Sequence, residues 1–242
     1  MRSHARAVVI GGGVVGVGTL YHLAKKGWND SVLIERKELT SGSTWHAAGL
    51  LPLFNMSYSV GQIHKYSVNF YQGLEAETGQ DVGLRQVSNI RLAMNEDRMD
   101  EYRQYAGVAN TIGINVNFLT PKQIKEVWPL CNTEGLIGGI QHPDDGYIQP
   151  ADLTQAMAKG ARAMGAEIER FTNVTGIEQQ RNGEWMITTD QGVISCDHVI
   201  SATGNFARQT GKMVGLDIPV IPVEHQYIVT EPHPEIQDRQ AK

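Results

Sequence analysis

The chain has 242 residues and a formal net charge of −5, with 41% hydrophobic and 19% charged residues. That balance fits a folded protein with its own core and excludes a disordered chain; the acidic excess leaves no basic field for nucleic acid or an anionic membrane. Two distant cysteines, Cys131 and Cys196, share no CxxC spacing, so neither a disulfide framework nor a zinc site is expected, and a reduced, cytoplasmic setting is.

In chain order, residues 5–10, which end in the β-branched Val8, Val9 and Ile10, read as a strand of the kind buried on both faces of a parallel sheet. A glycine-rich turn follows, then a helical spacing over 17–26 stopped by Gly27, then a second strand over 31–34 ending in Glu35. The apolar stretch at 7–17 is too short and glycine-rich to span a bilayer, and no secretory signal precedes it. A glycine- and serine-rich loop spans 39–53. Helices are expected over 58–78 and 96–112, a strand over 84–94, a short helix with proline in its first turn over 121–128, and a strand over 136–142. An amphipathic helix over 150–164 leads into a meander of strands at 173–180, 184–190 and 193–196, with Asn182-Gly183 as the hairpin turn. A buried strand over 198–201 and a long closing strand over 220–230 complete the reading.

Gly11, Gly13 and Gly16 make a GxGxxG at the first strand-to-helix junction. The first glycine permits the tight turn, the second lets backbone approach a pyrophosphate, and the third allows close helix–strand packing. The helix N-terminus offers N–H groups and a positive dipole. Glu35 stands at the end of the next strand, placed to accept from a ribose 2′- and 3′-OH. An acid there disfavours a 2′-phosphate, so the motif reads as an FAD or NAD site and does not separate the two. In the second loop, small residues and Ser43 bring backbone and hydroxyl within reach of an extended cofactor.

At this point a resemblance becomes specific. The stretches AVVIGGGVVGVGTLYHLAKKGW, LIERKELTSGSTWHAAGL, HPDDGYIQPADLTQAMAKGARAMGAEI, VISATGNFARQTGKMVGL and PVIPVEHQYIVTE closely resemble the flavin module of dimethylglycine and sarcosine dehydrogenases, which are D-amino-acid oxidase-like flavoproteins. The resemblance implies an α/β fold: a discontinuous Rossmann-like FAD-binding domain, about 1–55 and 150–215, with an inserted mixed α+β substrate domain, about 56–149 and 216–242. It also implies a chain truncated at its C-terminus, with a C-terminal half or an oligomer partner completing it.

FAD is the implied cofactor, with His46 of the TWHAAG motif as the residue that joins it covalently. The matched positions that would hold it further include Arg36, Ser43, Thr44, Ala48, Gly49, Leu50, Val174, Ala202 and Gly204. The implied reaction is oxidation of an N-methyl group on a small amino acid, with an electron-transfer protein or oxygen as acceptor. His225 lies on the strand that faces the substrate in relatives, and a histidine suits the handling of an amine proton. One departure is visible: Gln149 precedes Pro150 where the family often has Asp or Asn.

Overall fold

The computed structural model describes residues 2–240. Strand β1 (His4–Ile10), helix α1 (Val14–Lys25) and strand β2 (Ser31–Ile34) form a βαβ unit with parallel strands. The helix begins at Val14, three residues earlier than the spacing suggests, because the glycine turn itself delivers the first helical residue. An inserted stretch follows: β3 (Leu50–Leu51), α2 (Tyr58–Thr78), β4 (Arg85–Gln86), β5 (Asn89–Ala93), α3 (Glu96–Ile112), β6 (Asn117–Leu119), α4 (Pro121–Val127), β7 (Gly138–His142) and β8 (Gly146–Tyr147). The chain then returns through α5 (Pro150–Ala163), β9 (Glu167–Glu169), β10 (Val174–Gln179), β11 (Trp185–Thr189) and β12 (Gly192–Ser201). A 3-10 turn at Gly204–Phe206, α6 (Ala207–Met213) and α7 (Pro234–Gln240) end the described chain.

One six-stranded sheet, in the order β10-β11-β12-β1-β2-β9, is built from both ends of the sequence. Strands β12, β1, β2 and β9 run parallel, and β10 and β11 add an antiparallel meander. Residues 7–10 of strand β1 are apolar on both faces because both are covered there. Val9 joins Leu20, Tyr21 and Met157 of α1 and α5, whereas Val8 and Ile10 join Ile177, Ile187 and Ile194 of the meander. Each fully buried valine or leucine here contributes about 1.5–3 kcal/mol of transfer free energy. The insert makes two three-stranded sheets, β3-β8-β4 and β5-β7-β6, with its own core around Tyr102, Tyr105, Ile112 and Ile140. Among the described residues no helix is long and apolar enough to cross a membrane.

Three readings are corrected. The strand expected over 84–94 is two strands in different sheets, because Ser88 sits between them at φ +73°, a left-handed conformation that breaks the ladder. The two strands expected at 193–196 and 198–201 are one, β12, which pairs with β11 on one side and β1 on the other through Cys196. The closing strand expected over 220–230 has no strand partner among the described residues, and Ile221, Val223, Ile228 and Val229 are each at least 79% exposed. Alternation predicts a strand only where a neighbour supplies the ladder.

Candidate functional site

The site lies at the C-terminal ends of β1, β2 and β12, where four separate stretches converge. Gly11 has φ +111°, and a Cβ there would fall 2.5 Å from the Ala202 carbonyl oxygen. At Gly16 an added Cβ would lie 1.9 Å from the Gly11 oxygen. Only glycine fits either position, so the turn is packed against helix α1 and against the end of β12 at once. Ala202 is fixed in turn by its N–H to the Ile10 carbonyl at 2.8 Å. This is a cradle with backbone walls, the shape a pyrophosphate needs.

Glu35 reaches across the cradle. Its Oε2 accepts from the Gly12 N–H at 2.6 Å and its Oε1 from the Lys37 N–H at 2.8 Å, leaving each oxygen a second lone pair for a ribose hydroxyl. Thr44, thirty residues past the turn, accepts the Val14 N–H on its hydroxyl at 3.0 Å and so caps α1 from the second loop. Gly13 occupies the N-cap position and has no side chain to do this. The capping role of Thr44 leaves no local sequence signal, because cap and helix are far apart in the chain.

The second loop is otherwise open. Ser43, His46, Ala48 and Leu50 are exposed, and Trp45 is 67% exposed. His46 Nδ1 lies 3.1 Å from the Gly42 carbonyl oxygen. A carbonyl only accepts, so this contact is a hydrogen bond when Nδ1 carries a proton. Gly49 bonds back to the insert through the Ile148 N–H at 2.9 Å, which fixes Leu50 in the short ladder with Tyr147.

The turn after β12 closes onto this loop. Asn205 donates to the Ser43 hydroxyl at 3.1 Å, and the Arg36 guanidinium lies 3.8 Å from the Phe206 ring centroid. Gly204 opens that turn at φ +53°. Val174 begins β10 at a register shift, next to Thr172, whose N–H donates to the Glu35 carbonyl at 3.0 Å. The structure therefore brings Gly11, Gly13, Gly16, Glu35, Thr44 and Ala202 together around one cradle and sets Arg36 and Ser43 against the turn that Gly204 opens, whereas Val174 is paired with Thr189 of β11. It does not join His225, whose side chain is exposed and makes no hydrogen bond or ring contact with a described residue. Asn205 and Phe206 were not singled out by the sequence.

Polar groups inside the insert were missed as well. Asp145, from the PDDG stretch, is 1% exposed; its Oδ1 accepts from the Leu53 N–H at 2.9 Å, and burial pushes its carboxyl up to about 6. His142 is fully buried, with Nε2 3.2 Å from the Tyr105 hydroxyl, and burial pulls it down to about 4. Burial likewise pushes the Tyr105 hydroxyl up to about 12. Arg91 interrupts an apolar strand and stacks 4.2 Å from the Phe54 ring centroid. A charged residue within an apolar strand was the available signal.

The cradle, the acid across it and the extended open loop fit a long dinucleotide such as FAD, which Gly11, Gly13, Gly16, Glu35 and the 43–50 loop would hold. Residues 6–242 match the family described as FAD dependent oxidoreductase. The chain is 43% identical over 236 residues to the mitochondrial dimethylglycine dehydrogenase of Rattus norvegicus, covering 98% of this chain and 28% of that relative. It is 36% identical to the mitochondrial sarcosine dehydrogenase of Homo sapiens, covering 95% of this chain and 26% of the relative. Among solved structures, L-proline dehydrogenase from P. horikoshii superposes with a TM-score of 0.83 at 27% identity, over 89% of this chain and 57% of that one. The chain thus spans about a quarter of the length of these two curated relatives. On the strength of this match and of the cradle that carries it, the chain belongs to the FAD-dependent oxidoreductase family.

Proposed function

We propose that this chain forms the FAD-holding part of an enzyme that oxidises the N-methyl C–N bond of a small amino acid such as dimethylglycine or sarcosine. The observation that carries the reading is Glu35 set across the Gly11–Gly16 cradle, in a chain 43% identical to a dimethylglycine dehydrogenase. FAD, when bound, supplies the acceptor for the hydride. The protein's part is to anchor the ribose at Glu35, present the helix end capped by Thr44, and lay the small residues Ala47, Ala48 and Gly49 close to the ring. His46 is the proposed covalent tether; with Nδ1 donating to the Gly42 carbonyl, Nε2 would be the nitrogen that carries it. His225 is the proposed partner for the amine proton, on grounds of its chemistry and its family position alone.

Two measurements test this. FAD, NAD and NADP are titrated against the chain, and FAD is expected to bind tightest; a preference for NAD or NADP overturns the cofactor. The chain, alone and together with a C-terminal half that completes it, is then loaded with FAD and mixed anaerobically with dimethylglycine, sarcosine or proline, and afterwards with an artificial acceptor or oxygen. Bleaching of the flavin by the N-methyl compounds is expected. Binding of FAD with no bleaching by any of them would keep the cofactor and remove the substrate class. Acid precipitation separates tethered from free flavin, and colour that stays with His46→Ala protein would move the tether elsewhere.

A further inference from the structure

At the far end of β1 from the cradle, three side chains with metal-ligating atoms converge. His4 begins β1, Glu184 immediately precedes β11, and Asp197 lies within β12. The register of the sheet explains the meeting. Ala5 and Trp185 pair with Cys196 from the two sides of β12. Alternation then turns the adjoining positions, His4, Glu184 and Asp197, to the opposite face. Cys196 itself is fully buried and keeps its thiol away from that face. His4 Nε2 lies 3.9 Å from Glu184 Oε1 and 3.6 Å from Asp197 Oδ1, and the three ligand atoms all fall within 4.8 Å of one another. Donors around a tetrahedral zinc ion bound at about 2.0–2.1 Å stand roughly 3.4 Å apart, so these side chains have little distance to close.

The charge there suits a cation. Among the described residues neither acid has a lysine or arginine partner, and the imidazole of His4 is the basic group beside both. Arg6, the next residue on that face of β1, lies instead over the Trp28 ring, 3.7 Å from its centroid. Glu184 is also held from behind: its Oε2 accepts from the Asn182 amide at 2.9 Å, which leaves Oε1 for an ion. Outer bonds of this kind orient a metal ligand. One imidazole and two carboxylates favour zinc and its transition-metal neighbours over calcium and magnesium, which take oxygen ligands. We propose that His4, Glu184 and Asp197 form a divalent-metal site of the zinc class, with water in the remaining position. Strand β1 sets it roughly 20 Å from the glycine turn, at 3.3 Å per residue, so the ion takes no part in flavin chemistry. It clamps β1 to β12, the pairing that joins the two ends of the sequence, and stabilises the folded chain by binding it alone.

Zinc chloride is titrated calorimetrically into the chelator-treated chain, alone and together with a C-terminal half that completes it. One saturable site with these ligands is expected, with magnesium and calcium at least tenfold weaker. His4→Ala and Asp197→Asn should each weaken zinc at least tenfold. Without metal, both variants should keep the circular dichroism spectrum of the wild type, which shows that they are folded. Hydrogen exchange then locates the ion in the wild-type chain, whatever the variants do. Zinc should slow exchange in β1 and β12 and raise the midpoint of thermal unfolding, and His4→Ala should lose both effects. Absence of saturable zinc binding, affinity unchanged in His4→Ala, calcium binding equal to zinc, or protection that spares β1 and β12 overturns the site.

Discussion

At Glu35 both carboxylate oxygens are already engaged by backbone N–H groups, from Gly12 and Lys37, before any ribose arrives. The acid is thus fixed in place, and little side-chain entropy is left to lose on binding. Glu35→Ala is expected to weaken FAD by about 1–3 kcal/mol, the scale of leaving polar partners unmet, as flavin fluorescence on titration would show. Equal affinities would mean that Glu35 is not the ribose anchor. At Asp145 and His142 the same burial acts with opposite signs. Asp145 is raised from an ordinary 3.8 to about 6, so over that interval the folded chain holds a proton that the unfolded chain has lost, and stability falls as pH rises. His142 is lowered from 6.5 to about 4, so over that interval the unfolded chain holds the extra proton, and stability rises with pH. The two slopes largely cancel in the wild type. Asp145→Asn removes one of them; thermal unfolding should then show stability climbing from pH 4 to 6.5 more steeply than in the wild type. At pH 8 the variant should be more stable by about 1–3 kcal/mol.

Among the elements, the ones legible in the sequence are those whose signals are local. Helices α2 and α3 begin and end at the expected residues because Ser57 and Asn95 cap their starts and Gly79 and Gly113, both left-handed, end them. Strand β2 and residues 7–10 of β1 were legible because both faces are buried there, which leaves no polar alternation to confuse the reading. What depends on distant partners was not. The 220–230 run alternates like a strand but finds no ladder, and the break at Ser88 is imposed by Asp145 from across the insert. The cradle was legible from its glycines, whereas Thr44 as a cap and the buried bond from Leu53 to Asp145 arise only when separate stretches meet. The departure at Gln149 acquires a local meaning. It is the N-cap of α5, and its side chain makes no capping bond. Asp or Asn there would accept from the first turn, so Gln149→Asp should stabilise the chain by about 0.5–2 kcal/mol in urea unfolding. No change would show that the α5 start is already satisfied.

For the whole molecule, the described chain divides into a region knit by three sheets and a tail that is not. Residues 214–233 carry no helix or ladder, and Tyr227 is 57% exposed. Proteases need a stretch of backbone free to extend, which this segment offers. Limited chymotrypsin digestion is expected to cut after Tyr227 first. Trp45 is more exposed, but its N–H is tied to the Thr40 carbonyl at 3.0 Å within a run of turns. A first cut after Trp45 would reverse the order of local stability proposed for these two loops.

The position of β1 between β2 and β12 has a kinetic consequence. Residues 4–10 meet 195–201 across almost the whole chain, and the wall that Ala202 gives to Gly11 arrives only with that pairing. Closing so long a loop is entropically slow, so the phosphate cradle is among the last features to form. A dinucleotide then has nothing to grip in the early collapsed chain and cannot serve as a template for folding. Its effect falls on the finished structure. In stopped-flow experiments, FAD should leave the refolding rate unchanged and slow unfolding in proportion to its binding. Acceleration of refolding by FAD would mean that the glycine turn grips the cofactor before the far strand comes home.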